Sequence, residues 1–141
     1  MNTAVYLARL GAPVAYVTAL GDDPYSHEMV RQWEIEGIDT RAILRAPGDV
    51  PGLYTIRVND RGERSFLYWR SAAPVKRLFS LPGGAALATS LAGHRWLYFS
   101  GITLMVLNAP DREAFRAALE GARAAGCRIA FDSNYRARGW A

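Results

Sequence analysis

The sequence predicts an α/β fold, and two patterns carry that prediction. The first is a β-α-β crossover, in which apolar runs at residues 96–100 and 128–132 flank an amphipathic helix. This connection builds parallel sheets. The second is a strand followed by a helix between residues 14 and 36. Half of the 141 residues are hydrophobic, so the chain can bury a core and disorder is excluded as its main state.

The first third of the chain predicts a helix, a strand and a second helix. Residues 2–10 are rich in Ala and Leu and contain no Gly or Pro, which favours a helix, and residues 14–20 predict a buried strand. Gly21-Asp22-Asp23-Pro24 supplies a turn, a candidate N-cap and a proline near the first helical position. A helix is therefore predicted to about Glu36, followed by a short segment near residues 40–44.

Residues 50–72 predict a β-hairpin. Tyr54, Ile56 and Val58 alternate with polar residues, residues 59–62 have the composition of a turn, and residues 64–70 form a second strand. Both faces of the hairpin are apolar, and a small hairpin of this kind needs protein or ligand on both sides.

Within the second hairpin strand, neighbouring residues point to opposite faces. Phe66 and Tyr68 point one way, whereas Leu67 and Trp69 point the other. Arg70 lies two residues after Tyr68, so these two side chains share a face. The spacing alone therefore places a phenol beside a guanidinium.

The second half of the chain places a candidate site beside a strand end. Gly101 ends the strand at residues 96–100, Pro110 lies near the start of the crossover helix, and Gly126 ends that helix. Open α/β sheets bind ligands beyond the carboxyl ends of their strands. Residues 132–136 lie where such a site is expected.

Composition and charge argue against several classes of protein. The formal net charge is +4, and the sixteen arginines are scattered without a cluster, which argues against nucleic-acid binding. The apolar runs are far shorter than the roughly 20 residues that cross a bilayer. A single cysteine, Cys127, forbids an internal disulfide and is expected to be a small buried residue. We therefore expect a cytoplasmic protein.

The sequence also lacks the usual signatures of other nucleotide and metal enzymes. Lys76 follows no glycine-rich loop, which excludes a P-loop enzyme, and Gly83-Gly84 does not complete a dinucleotide-binding pattern. His27 and His94 have no nearby cysteine pair, so they are interpreted as surface or packing residues and no metal site is predicted.

The spacing of Asn2, Ala4, Gly11 and Gly21 resembles the signature of the ribokinase-like (PfkB) carbohydrate kinases, without the paired glycines that precede the asparagine there. Further segments resemble the bacterial 2-keto-3-deoxygluconate kinases within that family: Pro51-Gly52-Leu53-Tyr54, Gly62-Glu63-Arg64, Tyr68-Trp69-Arg70, Ser100-Gly101-Ile102 and Asp132-Ser133-Asn134-Tyr135-Arg136. The resemblance extends over essentially the whole chain. It implies one incomplete ribokinase-like domain at residues 1–141, an α/β fold with a parallel sheet and a hairpin lid at about residues 50–72.

The resemblance also implies roles for individual residues. Tyr54, Tyr68 and Arg70 are expected to close over a sugar acid, with Arg70 on its carboxylate. The remaining expected substrate-binding residues are Asn2, Ile102, Asn134 and Arg136. Arg136 is expected to reach the substrate and the transferring phosphoryl group, and Asn134 to help position that region.

Six of these seven residues also have a purely structural interpretation. Asn2 fits an N-cap, the two tyrosines fit hairpin packing, and Arg70 fits an exposed strand-end charge. Ile102 fits the core, and Asn134 with Asp132 fits a loop cap.

The implied activity is phosphorylation of 2-keto-3-deoxygluconate on its 6-hydroxyl, with ATP and Mg²⁺ in the whole enzyme. The family's proton-accepting aspartate lies in a Gly-Ala-Gly-Asp stretch that is not found in this sequence. It is expected beyond Ala141, so no catalytic, nucleotide-binding or metal-binding residue is assigned and the chain alone is expected not to turn over. The expected partners are a small sugar acid and, through the lid, another copy of the protein.

Two other functions stay open at this stage. One is a non-catalytic module that binds sugar acids or dimerises. The other is a related kinase for a sugar such as fructose or ribose.

Overall fold

The computed structural model describes residues 1–135 and 137, and the chain divides into two compact units, Met1–Pro74 and Val75–Ala141. Among the described residues, the strands form three two-stranded sheets, of which two are parallel. This arrangement of helices and parallel strands confirms the predicted α/β class. No helix in the described part of the chain has the length and apolar character needed to cross a membrane.

The first unit begins with the predicted order of helix, strand and helix. Its elements are α1 (Asn2–Arg9), β1 (Thr18–Leu20), α2 (Pro24–Ile35) and β2 (Ile43–Arg45), with β1 and β2 paired in parallel. The strand β1 is shorter than predicted, because Ala15 forms only an isolated bridge with Asp39. Its three residues are all buried, which explains the strong apolar signal in the sequence.

The helix α2 begins as the sequence predicts. Asp23 is the N-cap, and its carboxylate accepts hydrogen bonds from the backbone N–H groups of Tyr25 (2.9 Å) and Ser26 (3.2 Å). It also accepts a bond from the Ser26 hydroxyl at 2.5 Å. These bonds occupy orphan donors of the first helical turn.

The hairpin also forms as predicted, within the expected lid region. Strands β3 (Leu53–Val58) and β4 (Arg64–Trp69) are antiparallel. In the turn, the Asn59 side-chain oxygen accepts bonds from the N–H groups of Arg61 (3.0 Å) and Glu63 (2.9 Å), and Gly62 has a φ of 77° that favours glycine. Every residue of both strands is exposed.

The second unit contains the predicted crossover. Its regular elements are 3₁₀ segments at Pro74–Ser80 and Leu91–Gly93, α3 (Gly84–Ser90), β5 (Trp96–Ser100), α4 (Gly101–Val106), α5 (Ala109–Ala124) and β6 (Arg128–Asp132). Strands β5 and β6 are parallel, with Trp96 opposite Arg128 and Ser100 opposite Asp132. The bounds of both strands match the prediction.

The strand β5 ends before Gly101 as predicted, but the short helix α4 that follows it was not predicted. The backbone N–H of Ser100 donates to the Thr103 hydroxyl at 3.4 Å, so local side-chain chemistry starts a helix directly after the strand. The helix α3 was also not predicted, because its Ala-rich sequence lacks an apolar stripe.

The core of the second unit is built on Phe115 of α5. Its ring stacks on Phe79 at 5.6 Å and meets Phe99 of β5 edge-on at 5.1 Å. Phe79, Phe115 and Cys127 are buried, which confirms the interpretation of Cys127 as a small buried residue. These contacts hold α5 against the strand whose carboxyl end carries the second group of candidate residues.

Candidate functional site

The hairpin brings together three of the predicted site residues, Tyr54, Tyr68 and Arg70. Tyr54 and Tyr68 lie directly opposite each other in the strand register, and their ring centroids are 6.0 Å apart. The guanidinium carbon of Arg70 lies 4.4 Å from the centroid of the Tyr68 ring. This is a cation-π geometry, and it holds the positive charge over the ring of Tyr68.

A glycine at the base of the hairpin makes room for Arg70. A Cβ atom at Gly52 would lie 3.0 Å from the Arg70 Cβ and 3.4 Å from the Ala73 Cβ. The chain therefore enters β3 in close contact with the residues that follow β4. This contact is the local reason for a glycine in the Pro-Gly-Leu-Tyr segment.

The hairpin side chains are available to a ligand. Tyr54 is 55% exposed and Tyr68 is 48% exposed. Their rings pack against each other and against Phe66, whose ring centroid lies 6.2 Å from that of Tyr54 and 6.1 Å from that of Tyr68. A phenol can both donate and accept hydrogen bonds, and a guanidinium donates two parallel bonds to a carboxylate. The face therefore suits a small molecule with hydroxyl groups and one carboxylate.

Phe66 is a member of this face that the sequence analysis did not assign to the site. Its ring is nearly parallel to that of Tyr68, with an interplanar angle of 11°. The signal for it was present, because Phe66, Tyr68 and Arg70 alternate along one strand. Because phenylalanine has no polar group with which to bind a sugar, this alternation alone does not mark Phe66 as a site residue.

A second feature missed by the sequence analysis fixes the segment that leads into the hairpin. The Arg45 guanidinium donates to the carbonyl oxygen of Gly21 at 2.9 Å, and the Gly48 N–H donates to the Asp22 carboxylate at 2.9 Å. A Cβ atom at Gly21 would overlap the carbonyl oxygen of Asp49. The turn after β1 and the segment before β3 are therefore locked together, and the Gly21 of the family-like spacing has a steric explanation.

Hydrogen bonds also set the charge of this turn. The Ser26 hydroxyl and the N–H groups of Ser26 and Tyr25 hold the pKa of the Asp23 carboxyl below its ordinary value of 3.8. Asp23 is consequently ionised at neutral pH and acts as a helix cap.

Asn2 belongs to a different element from the hairpin residues. It is the first residue of α1, Met1 is the N-cap, and no side-chain hydrogen bond caps this helix. The interpretation of Asn2 as an N-cap is therefore wrong. Asn2 is exposed, and its binding of sugar hydroxyls stays a prediction.

Ile102 and Asn134 lie at the same edge of the second unit's sheet. Ile102 is the second residue of α4, directly beyond the carboxyl end of β5, and is half-buried. Asn134 follows the end of β6, and its N–H donates to the Asp132 carboxylate at 3.0 Å. A Cβ atom at Gly101 would overlap the carbonyl oxygen of Ser133, so the two strand ends are in close contact.

The loop after β6 has the structure of the predicted cap. The φ of Asn134 is 35°, in the left-handed region that asparagine tolerates. The Tyr98 hydroxyl also donates to the Asp132 carboxylate, at 3.4 Å. Arg136 lies outside the described residues, and the binding roles of Ile102, Asn134 and Arg136 stay predictions.

Magnesium is held mainly by carboxylate oxygens, so a site for it needs acidic side chains that lie close together. Within residues 1–135 and 137, no group of three or more His, Cys, Asp and Glu side chains is arranged to hold a metal ion. We therefore assign Mg²⁺ to none of these residues, and the roles of Mg²⁺ and ATP stay predictions for the whole protein.

Comparison with known proteins gives matches along the whole chain. The pfkB family of carbohydrate kinases matches residues 1–141. A 2-dehydro-3-deoxygluconokinase from Escherichia coli strain K12 is 42% identical over 145 residues, which cover 100% of this chain and 47% of the relative. The chain thus spans about half the length of the curated relatives it matches.

Two solved structures have the same fold. A PfkB family carbohydrate kinase from Listeria grayi matches with a TM-score of 0.84 and 30% identity, covering 99% of this chain and 43% of that one. A 2-dehydro-3-deoxygluconokinase from Thermotoga maritima matches with a TM-score of 0.80 and 27% identity, covering 99% of this chain and 42% of that one. These matches confirm the ribokinase-like fold class that the sequence predicted.

Proposed function

This chain belongs to the pfkB family of carbohydrate kinases, and we propose that the whole protein transfers the terminal phosphoryl group of ATP to the 6-hydroxyl of 2-dehydro-3-deoxygluconate. The observation that carries the substrate class is the position of the Arg70 guanidinium, 4.4 Å from the centroid of the Tyr68 ring, which in turn lies 6.0 Å from the centroid of the Tyr54 ring. The substrate's carboxylate matches the guanidinium, and its hydroxyls match the phenols. The name of the Escherichia coli relative supports the specific sugar acid.

In this proposal Arg70 binds and orients the acid. Its two outer N–H groups donate parallel hydrogen bonds to the carboxylate, which neutralises the substrate charge and sets its direction. The Tyr68 ring beneath the guanidinium limits the orientations that the arginine adopts. A neutral sugar lacks the group that this contact recognises.

The tyrosines and the rest of the hairpin orient the hydroxyl groups and exclude water. A phenol donates one hydrogen bond and accepts others, so Tyr54 and Tyr68 together distinguish hydroxyl positions. A hairpin closed over the substrate strengthens these contacts by removing water. When bound, ATP supplies the phosphoryl group and Mg²⁺ offsets its negative charge.

The other predicted site residues are proposed to have supporting roles. Asn2 is proposed to bind sugar hydroxyls, Ile102 to line the pocket, Asn134 to position the loop after β6, and Arg136 to contact the substrate near the transferring group. The short distance between the ends of β5 and β6 supports a common edge for Ile102 and Asn134. The chain by itself is proposed not to turn over, because its sequence contains no Gly-Ala-Gly-Asp stretch for the proton acceptor.

The opposite face of the hairpin supports a proposal about assembly. Leu53, Leu67 and Trp69 lie on the face away from Tyr68 and are 57–62% exposed. We propose that a second copy of the protein covers this face, because burial of these side chains removes apolar area from water. We also propose a cytoplasmic location, where ATP is available.

Calorimetric titration of the chain with 2-dehydro-3-deoxygluconate tests the substrate class. We expect Arg70→Ala to weaken binding roughly tenfold to a hundredfold, since hydrogen bonds between charged groups are worth about 1.5–3 kcal/mol. Arg57→Ala is the matched control, because Arg57 lies on the opposite face of the hairpin and is exposed like Arg70. It should leave the affinity unchanged.

Three results would contradict the proposal or replace it. Equal affinity for fructose or ribose would favour a kinase for another sugar. Equal losses in Arg70→Ala and Arg57→Ala would remove the role of Arg70. Tight binding of the sugar acid by a whole protein that never phosphorylates it would favour a non-catalytic binding module.

A further inference from the structure

The Phe66 ring completes a triangle with the two tyrosines of the hairpin. The centroid distances are 6.2 Å from Phe66 to Tyr54, 6.1 Å from Phe66 to Tyr68 and 6.0 Å from Tyr54 to Tyr68. The three sides are nearly equal, so each ring contacts both of the others. Phe66 lies opposite Ile56 in the register and diagonally across from Tyr54.

The side chain of Phe66 cannot form a hydrogen bond, and the residue is 42% exposed. Its ring packs against the rings of Tyr54 and Tyr68. Aromatic pairs at these distances favour particular ring orientations. The contribution of Phe66 is therefore to the orientation of the tyrosine rings.

The contacts continue from Phe66 to the charged group. Phe66 lies at 11° to the Tyr68 ring, and the guanidinium carbon of Arg70 lies 4.4 Å from the centroid of that same ring. All three side chains project from one face of one strand and its continuation. If Tyr68 rotates, Arg70 loses the surface that supports it.

We infer that Phe66 is a positioning residue, which holds the Tyr68 ring and, through it, the Arg70 guanidinium in the orientation that receives a carboxylate. The identity of the ligand rests on the proposed function, whereas the geometry of Phe66, Tyr68 and Arg70 does not. It assigns a substrate-orienting role to a residue with no polar atom of its own in the side chain.

The first test needs no ligand and uses nuclear magnetic resonance of the chain. Protons of the Arg70 side chain near the Tyr68 ring should show ring-current shifts in the wild type. Phe66→Leu should move these shifts toward the values of a free arginine, whereas Phe66→Tyr, which keeps the ring, should retain them. Val58→Ala removes an exposed apolar side chain from the same hairpin, outside the triangle, and should also retain them.

The second test measures the affinity of the same four proteins for 2-dehydro-3-deoxygluconate. We expect Phe66→Leu to weaken binding roughly threefold to tenfold, the range that corresponds to one aromatic pair. Phe66→Tyr and Val58→Ala should bind like the wild type. Rescue by tyrosine separates the effect of ring orientation from a general loss of hairpin structure.

The two tests distinguish failure of this inference from failure of the proposed function. Unchanged Arg70 shifts in Phe66→Leu, or equal changes in Val58→Ala, would overturn the inference whatever the ligand. Unchanged affinity in Phe66→Leu, in a protein whose wild type binds the sugar acid, would overturn it while the proposed function stands. A wild type that fails to bind the sugar acid would count against the proposed function, and the Arg70 shifts would still decide for or against the positioning role.

Discussion

Replacement of Asp111 tests how the second unit is held together. This residue of α5 is fully buried, and its carboxylate accepts hydrogen bonds from the N–H groups of Phe79 (2.5 Å) and Ser80 (3.1 Å) and from the Ser80 hydroxyl (2.6 Å). It thus anchors the first 3₁₀ segment to α5. Asp111→Ala removes all three acceptor contacts and leaves the buried Phe79 N–H without this acceptor.

The expected loss follows from those contacts. A single hydrogen bond to a charged group is worth about 1.5–3 kcal/mol, and an unsatisfied buried donor costs about 1–3 kcal/mol. Because the three bonds share one carboxylate, their contributions are not additive. We expect Asp111→Ala to lower the free energy of unfolding by about 3–5 kcal/mol, the combined size of one such bond and one unsatisfied buried donor.

Urea denaturation followed by far-ultraviolet circular dichroism measures this loss. Asp111→Asn keeps one carbonyl acceptor and should cost about 1–3 kcal/mol, less than alanine. Glu113→Ala, at an exposed position of the same helix, is the control and should change stability by no more than about 0.5 kcal/mol. If Asp111→Ala behaves like Glu113→Ala, the anchoring role of the carboxylate is refuted.

The remaining predictions concern Asp23 and Gly21 in the first unit and Gly121 in the crossover helix α5. The pKa of the Asp23 carboxyl is lowered in the folded state. Its contribution to stability is therefore present above the unfolded pKa of 3.8 and is lost as the pH falls through the folded pKa. Urea unfolding across this pH range should show the loss, and Asp23→Asn should flatten the dependence of stability on pH. Gly21→Ala should destabilise by about 1–3 kcal/mol or more, because the new Cβ overlaps the Asp49 carbonyl oxygen. Gly121→Ala in α5, where a Cβ has open space, should stabilise by about 0.5–1 kcal/mol in the same assay; equal effects of the two substitutions would contradict the steric explanation of Gly21.

Elements with a simple period were predictable from the sequence. The alternation of residues in the hairpin and the turn at Asn59 give both strands and their pairing, and β5 and β6 follow from short apolar runs around an amphipathic helix. In each case one local pattern specifies the element. The same alternation places Tyr68 and Arg70 on one face, and the structure confirms that placement.

Features that depend on contacts between distant segments were less visible in the sequence. The overlap of a Gly21 side chain with Asp49 requires the turn after β1 to meet the segment before β3, and no local period reveals it. The helix α4 begins with a reciprocal pairing of Ser100 and Thr103, which no apolar period reveals. Phe66 was visible as a ring on the correct face, but its contact geometry was not.

The proposed function depends most directly on recognition of a sugar acid by Arg70 and the tyrosines of the hairpin. The decisive measurement is the rate of ATP-dependent phosphorylation by the whole protein, with 2-dehydro-3-deoxygluconate and with fructose, for the wild type and Arg70→Ala. We predict a 6-phosphorylated sugar acid as the preferred product and a raised KM for the sugar acid in Arg70→Ala, with no change for fructose. Preferred phosphorylation of fructose, or a KM for the sugar acid that Arg70→Ala leaves unchanged, would contradict the account.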